Sequence, residues 1–167
     1  MTANHCGINS GNAASLVAFW NYENSFCRTP GSTQSGQPGD GQLTEFHTGS
    51  FFRAASAASD MTLVELDDPP VGAFNHFWAG WDRNPGDVIC TGLTPCAGIH
   101  HPNNDEKRIT YSLTNMVPSS WGGTPPPTPG DGTHLWVHWA TDPPGPFTVP
   151  GVTEPGSSGS PVYDADG

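Results

Sequence analysis

Positive charge is nearly missing from this sequence. Lys107 and the arginines Arg28, Arg53, Arg83 and Arg108 stand against sixteen acidic residues, for a net charge of −11. Such a surface repels nucleic acid and anionic membranes, so neither is an expected partner. It first of all keeps a protein in solution, and secondarily favours cationic partners. Charged residues of either sign make up only 13%, too few for a disordered charged tail. No apolar run approaches the length needed to cross a bilayer. There is no Cys-x-x-Cys pair, which removes a zinc ribbon. The opening Met1-Thr2-Ala3-Asn4-His5 has neither the basic start nor the apolar core of a signal peptide. A secreted protein would therefore need a further N-terminal segment. No stretch has a helical period with caps at both ends, and no internal repeat occurs.

What remains is rich in turn formers and aromatics: 21 glycines, 18 prolines, six Trp, eight Phe and three Tyr. Short strands joined by long loops are the expected result, in an all-β sandwich or barrel. Strand candidates are Ser15–Tyr22, a stretch beginning at Phe51–Ala54, Met61–Leu66, Ala73–Trp81, Ala97–His101, Arg108–Leu113 and Thr133–Trp139. The last alternates, with Leu135, Val137 and Trp139 on one face and His134, Trp136 and His138 on the other. The proline-rich Thr124–Gly132 and Asp142–Gly151 lack ladder donors and are expected to be surface loops. Of the four cysteines, Cys90 and Cys96 are close enough for a local disulfide. Cys6 and Cys27 either pair with each other or have partners beyond the present ends. His100 and His101, adjacent in a strand, point to opposite faces and do not share an ion, so no metal is expected there.

Three segments carry chemistry. Gly156-Ser157-Ser158-Gly159-Ser160-Pro161 offers a serine hydroxyl on a tight glycine turn. The N–H groups of Gly156 and Ser158 are candidates to receive a developing oxyanion. The same residues satisfy G-x-S-x-G, but that elbow belongs to a fold whose Asp and His follow the serine, and no histidine follows Ser158. His5, next to Cys6, suits proton transfer near neutral pH. Asp60, at the entrance to the apolar Met61–Leu66, is placed to fix the tautomer of an imidazole. The chain order is His, Asp, Ser.

Taken together, T-A-N-H-C-G at Thr2–Gly7, F-W-N-Y-E-N-S-F-C-R at Phe19–Arg28, D-M-T-L-V-E-L at Asp60–Leu66, F-W-A-G-W-D-R at Phe77–Arg83, I-H-H-P-N at Ile99–Asn103, E-K-R-I at Glu106–Ile109 and V-T-E-P-G-S-S-G-S-P at Val152–Pro161 resemble the chymotrypsin-like serine proteases. They are most similar to the bacterial lysyl endopeptidase branch. The resemblance implies a double antiparallel β-barrel, incomplete at both termini, forming a single domain over residues 1–167. The His and Asp segments (residues 1–72) would lie in the first barrel and the Ser segment in the second, with the active site between them. It implies a serine endopeptidase with His5, Asp60 and Ser158 as triad and Gly156 with Ser158 as oxyanion hole. Protein or peptide substrates, no cofactor, a monomeric state and secretion as a precursor follow from it. It places the partners of Cys6 and Cys27 in segments outside these residues. A preference for lysine on the acyl side rests on overall similarity, with Glu154 near the pocket base and Trp121 along the cleft as candidate substrate contacts. A non-catalytic relic or binding module of the same fold is the alternative.

Overall fold

The computed structural model describes residues 1–28, 32–34, 37–81, 90–91, 93–122, 128–141 and 151–164. Among them every strand pairing is antiparallel, and the only helical pieces are four single 3₁₀ turns. No described helix is long and apolar enough to cross a membrane. The fold is all-β, as expected. Its strands form two three-stranded and two two-stranded sheets, and no barrel closes among the described residues.

The first sheet is built on β5 (Met61–Leu66), whose aliphatic and β-branched side chains suit a pleated, half-buried surface. It lies between β1 (Thr2–Ala3) and β4 (Ser50–Ser56). The register runs Thr2↔Thr62 and Ala3↔Met61 on one side and Ser50↔Leu66 to Ser56↔Met61 on the other, with a bulge between Phe52 and Ala54. Beside it, β2 (Val17–Phe19) pairs with β3 (Phe46–Thr48). The long excursion between these two is braced from within. The Arg28 guanidinium donates to Asn24 and to the carbonyls of Gln37 and Pro38. Asp40 accepts from both the backbone and the hydroxyl of Ser25.

The second three-stranded sheet places β6 (Cys96–His100) between β7 (Arg108–Ser112) and β10 (Val162–Tyr163). A smaller ribbon joins β8 (Val117–Ser119) and β9 (His134–Trp136). It is tied to β7 by the Ser112↔Trp139 bridge and by Ala140 N–H donating to Tyr111 O at 2.7 Å. The Cys90–Cys96 disulfide forms as expected and sits in the core with Met116, against which Val137 packs. Cys6 and Cys27 are unpaired and exposed, so the bridge between them that the sequence allowed is not made.

Two expected strands are corrected. Ala73–Trp81 does not extend: Gly72–Phe74 is a 3₁₀ turn and Asn75 is left-handed at φ 50°. The Phe74 carbonyl is taken by Asn21 Nδ2 at 2.7 Å, and Phe77, Trp78 and Trp81 are left exposed. Thr133–Trp139 shortens to His134–Trp136 because Ser112 Oγ captures the His138 carbonyl at 2.9 Å, and pairing returns only at Trp139. Residues 124–127 and 142–150 of the proline-rich stretches lie outside the described residues; 128–132 form bends and turns, as expected of a loop.

Candidate active site

The antiparallel register of β1 on β5 brings Asn4 and His5 alongside Asp60, one step beyond the last paired residues. Asp60 closes the β4–β5 turn at φ 50°, a left-handed conformation that aspartate tolerates better than most residues. Its carbonyl accepts the Asn4 N–H at 2.9 Å. One carboxylate oxygen, Oδ1, accepts the His5 N–H at 2.8 Å, and the other, Oδ2, meets His5 Nδ1 at 2.6 Å. The backbone N–H of His5, then its ring, hold the Asp60 carboxyl below the usual carboxylate range. With Nδ1 engaged by the carboxylate, the other ring nitrogen, Nε2, is turned to Ser158 Oγ at 2.8 Å.

Ser158 reaches His5 across 153 positions of sequence because of the two glycines that flank its turn. Gly159 has φ +81°, and a Cβ there would lie 2.6 Å from Ala3 N and 2.7 Å from Thr2 Cα. The serine loop therefore lies directly on the β1 backbone, next to the turn that carries His5. Gly156 has φ +100°, and a Cβ there would meet Asn104 N at 2.6 Å and His101 O at 2.8 Å. On that side the loop rests on the 3₁₀ turn Pro102–Asn104, and Asn103 N–H donates to Pro155 O at 2.7 Å. Among the described residues the N–H groups of Gly156 and Ser158 donate to no protein acceptor, which leaves both open to a ligand oxygen.

Beside Ser158 an open pocket of about 430 Å³ is lined by Thr153, Glu154, Pro155, Ser157 and Ser158. Glu154 thus joins Ser158 in one pocket. Trp121 does not: it lines a separate pocket of about 220 Å³ with Ser119, Ser120, His134, Leu135 and Trp136, its ring tilted on His134 at 5.6 Å. His100 and His101 diverge as expected. His100 is buried and contacts Ser157, whereas His101 stacks on Tyr22 at 5.7 Å. Among the described residues no three His, Cys, Asp or Glu side chains converge as a metal-ligand set.

The docking surfaces of the serine loop were not visible in the sequence. Asn103, Asn104 and His100 act on it from more than fifty positions away, and no spacing rule links them. The only signal was the I-H-H-P-N segment, which carried the resemblance without a role attached.

These contacts draw on nearly the whole described chain, from Thr2 at one end to Ser158 near the other. The family model for the C-terminal domain of lysyl endopeptidase spans it in the same way, matching residues 1–167, and the chain belongs to that family.

Proposed function

We propose that the chain is the catalytic domain of a serine endopeptidase and that His5, Asp60 and Ser158 are its triad. The carrying observation is that one imidazole touches both partners, Asp60 Oδ2 at 2.6 Å and Ser158 Oγ at 2.8 Å. Asp60 holds the Nδ1–H tautomer, so that Nε2 presents its lone pair to the serine hydroxyl. As Ser158 Oγ attacks a peptide carbonyl carbon, His5 Nε2 takes the serine proton. The charge that builds on the carbonyl oxygen is met by the N–H groups of Gly156 and Ser158. His5 then returns the proton to the leaving amine, and an acyl-serine ester remains. Water, deprotonated by His5, attacks that ester; its collapse releases the carboxylic acid and restores the serine hydroxyl.

The substrates on this reading are extracellular proteins and peptides, with lysine on the acyl side. Support for lysine comes from Glu154 in the pocket beside Ser158 and from the net charge of −11. Glu154 is exposed, and an exposed ion pair contributes roughly 0.2–1 kcal/mol, about fivefold at most. Glu154 therefore tunes the preference rather than creating it. The Glu154→Gln variant is expected to lose less than about fivefold in kcat/KM on lysyl esters. A larger loss would make Glu154 the main determinant.

The experiment that tests the central reading is labelling with a fluorophosphonate, which reacts with an activated serine. Wild type is expected to label and Ser158→Ala to remain unlabelled. Equal labelling of both would refute the assignment. Absence of labelling in folded wild type would favour the non-catalytic relic.

A further inference from the structure

We propose that His100 is a positioning residue for the nucleophile: acting through the Ser157 hydroxyl, it locks residues 154–158 into the turn that presents Ser158 to His5. The proposal rests on the reading of Ser158 as nucleophile and adds the group that holds it in place.

The geometry runs from β6 to the serine in two contacts. His100 ends β6, a strand held on both sides by β7 and β10, and is only 2% exposed. Its Nδ1 lies 2.8 Å from Ser157 Oγ. That oxygen also accepts the Glu154 N–H at 3.3 Å, while Ser157 N–H donates to Glu154 O at 3.0 Å. Ser157 thus closes the turn on itself and ties the closed turn to a buried strand. The remaining links to this side come from the backbone: Asn103 N–H to Pro155 O and the close seat of Gly156 on Asn104. Those fix where the loop lies. The His100–Ser157 bond joins the sheet to the residue bonded directly to Ser158, and so bears on where the serine Oγ points.

The ring is suited to this task and to no proton transfer. Its other nitrogen, Nε2, is buried and has no hydrogen-bond partner among the described residues. A charged imidazolium would place a donor there with nothing to receive it, so the ring is held neutral. Burial lowers its pKa, the neighbouring His101 and Arg108 lower it further, and Glu154 opposes them. An N–H on Nε2 would be equally unmet in the neutral ring, so the proton sits on Nδ1, which donates to Ser157 Oγ.

The test uses the protein as its host makes it and reads the rate of fluorophosphonate labelling beside kcat and KM for a small ester. His100→Phe keeps the ring volume and removes the polar atom. It is expected to slow labelling at least about tenfold through kcat, with KM little changed, since a small displacement of the reacting oxygen is costly. His100→Asn restores a hydrogen-bonding atom near the Nδ1 position and is expected to recover most of that loss, which a purely space-filling role would not require. Ser157→Ala removes that bond together with the Glu154 N–H contact and is expected to slow labelling at least as much as His100→Phe, and the double variant is expected to be no slower than Ser157→Ala, because the shared bond is lost once. If His100→Phe does not fold, Ser157→Ala carries the same expectation. Folded variants labelling within about twofold of wild type would overturn the proposal, as would losses that multiply in the double variant. If Ser158→Ala is silent while His100→Phe and Ser157→Ala keep the wild-type rate, only the positioning role falls. If Ser158→Ala still labels, the nucleophile assignment falls first and takes this proposal with it.

Discussion

Adding a single methyl group at Gly159 tests whether loop docking on β1 creates the site. The glycine has φ +81°, and an L-residue in that left-handed region costs roughly 1–2 kcal/mol. The larger effect is steric. The new Cβ would stand 2.6 Å from Ala3 N and 2.7 Å from Thr2 Cα, both backbone atoms of a paired strand that cannot swing away. Reaching ordinary contact requires the loop to withdraw by about 0.8 Å. A withdrawal of that size along the His5 Nε2 to Ser158 Oγ direction stretches 2.8 Å to about 3.6 Å, where no hydrogen bond remains. The expected loss in fluorophosphonate labelling is about 100-fold. Gly132→Ala is the matched control: it has φ +75° and nothing within 4 Å, so it carries the conformational cost without the clash. Its stability is expected to fall by roughly 1–2 kcal/mol, with labelling unchanged. Folded Gly159→Ala protein labelling at the Gly132→Ala rate would refute the argument that seating on β1 sets the serine.

Two further expectations concern the acid and the disulfide. Asp60→Asn is expected to lower kcat by about 10⁴-fold, because the amide cannot hold the required His5 tautomer; a loss under about tenfold would remove Asp60 from the triad. Folding holds the Asp60 carboxyl below its ordinary value of 3.8, so the stability it contributes is present above that value and is lost as pH falls through the lowered one. Asp40, through the Ser25 hydroxyl, and Asp131, through the Thr133 hydroxyl, shift the same way. Thermal melts between about pH 5 and pH 2 are expected to fall more steeply for wild type than for Asp60→Asn, and parallel curves would contradict the shift. Replacing Cys90 and Cys96 together by serine is expected to cost about 2 kcal/mol, the loop-closure value for so short a ring. Labelling at Ser158 is expected to persist, since the bridge touches none of the three residues. Denaturant melts and labelling check both halves.

Much of the local structure could be read directly. Met61–Leu66 forms over the residues where its β-branched and aliphatic side chains predict it. The strands at Cys96–His100 and Arg108–Ser112 fall within a residue of expectation, and the nearby cysteines close their loop. The reading failed where a single polar group at long range overrides an apolar pattern. Phe77 and Trp78 resemble strand residues, yet Asn21 takes the preceding carbonyl and Asn75 turns left-handed. Likewise Ser112 removes the His138 carbonyl from the ladder. In the site, His5, Asp60 and Ser158, which the structure brings into contact, were legible because each stands in its own motif. The anchoring of Ser157 by His100 was not, because it is one hydrogen bond between segments 57 positions apart. Nor could the sequence show where Trp121 goes: the β8–β9 ribbon carries it into a pocket that Ser158 does not line.

The 153-residue separation of His5 from Ser158 also orders events in time. A ribosome adding about 5–20 residues per second needs roughly 8–30 s to cover that distance. Through that interval His5 and Asp60 are able to meet, since they belong to one sheet, but they have no hydroxyl to act upon. Ser158 is the last part of this stretch to be made, and its loop must then find β1. Such closure between distant segments is slow compared with local pairing. On the proposed function, a nascent chain therefore has no assembled site while the backbone between His5 and Ser158 is still being made.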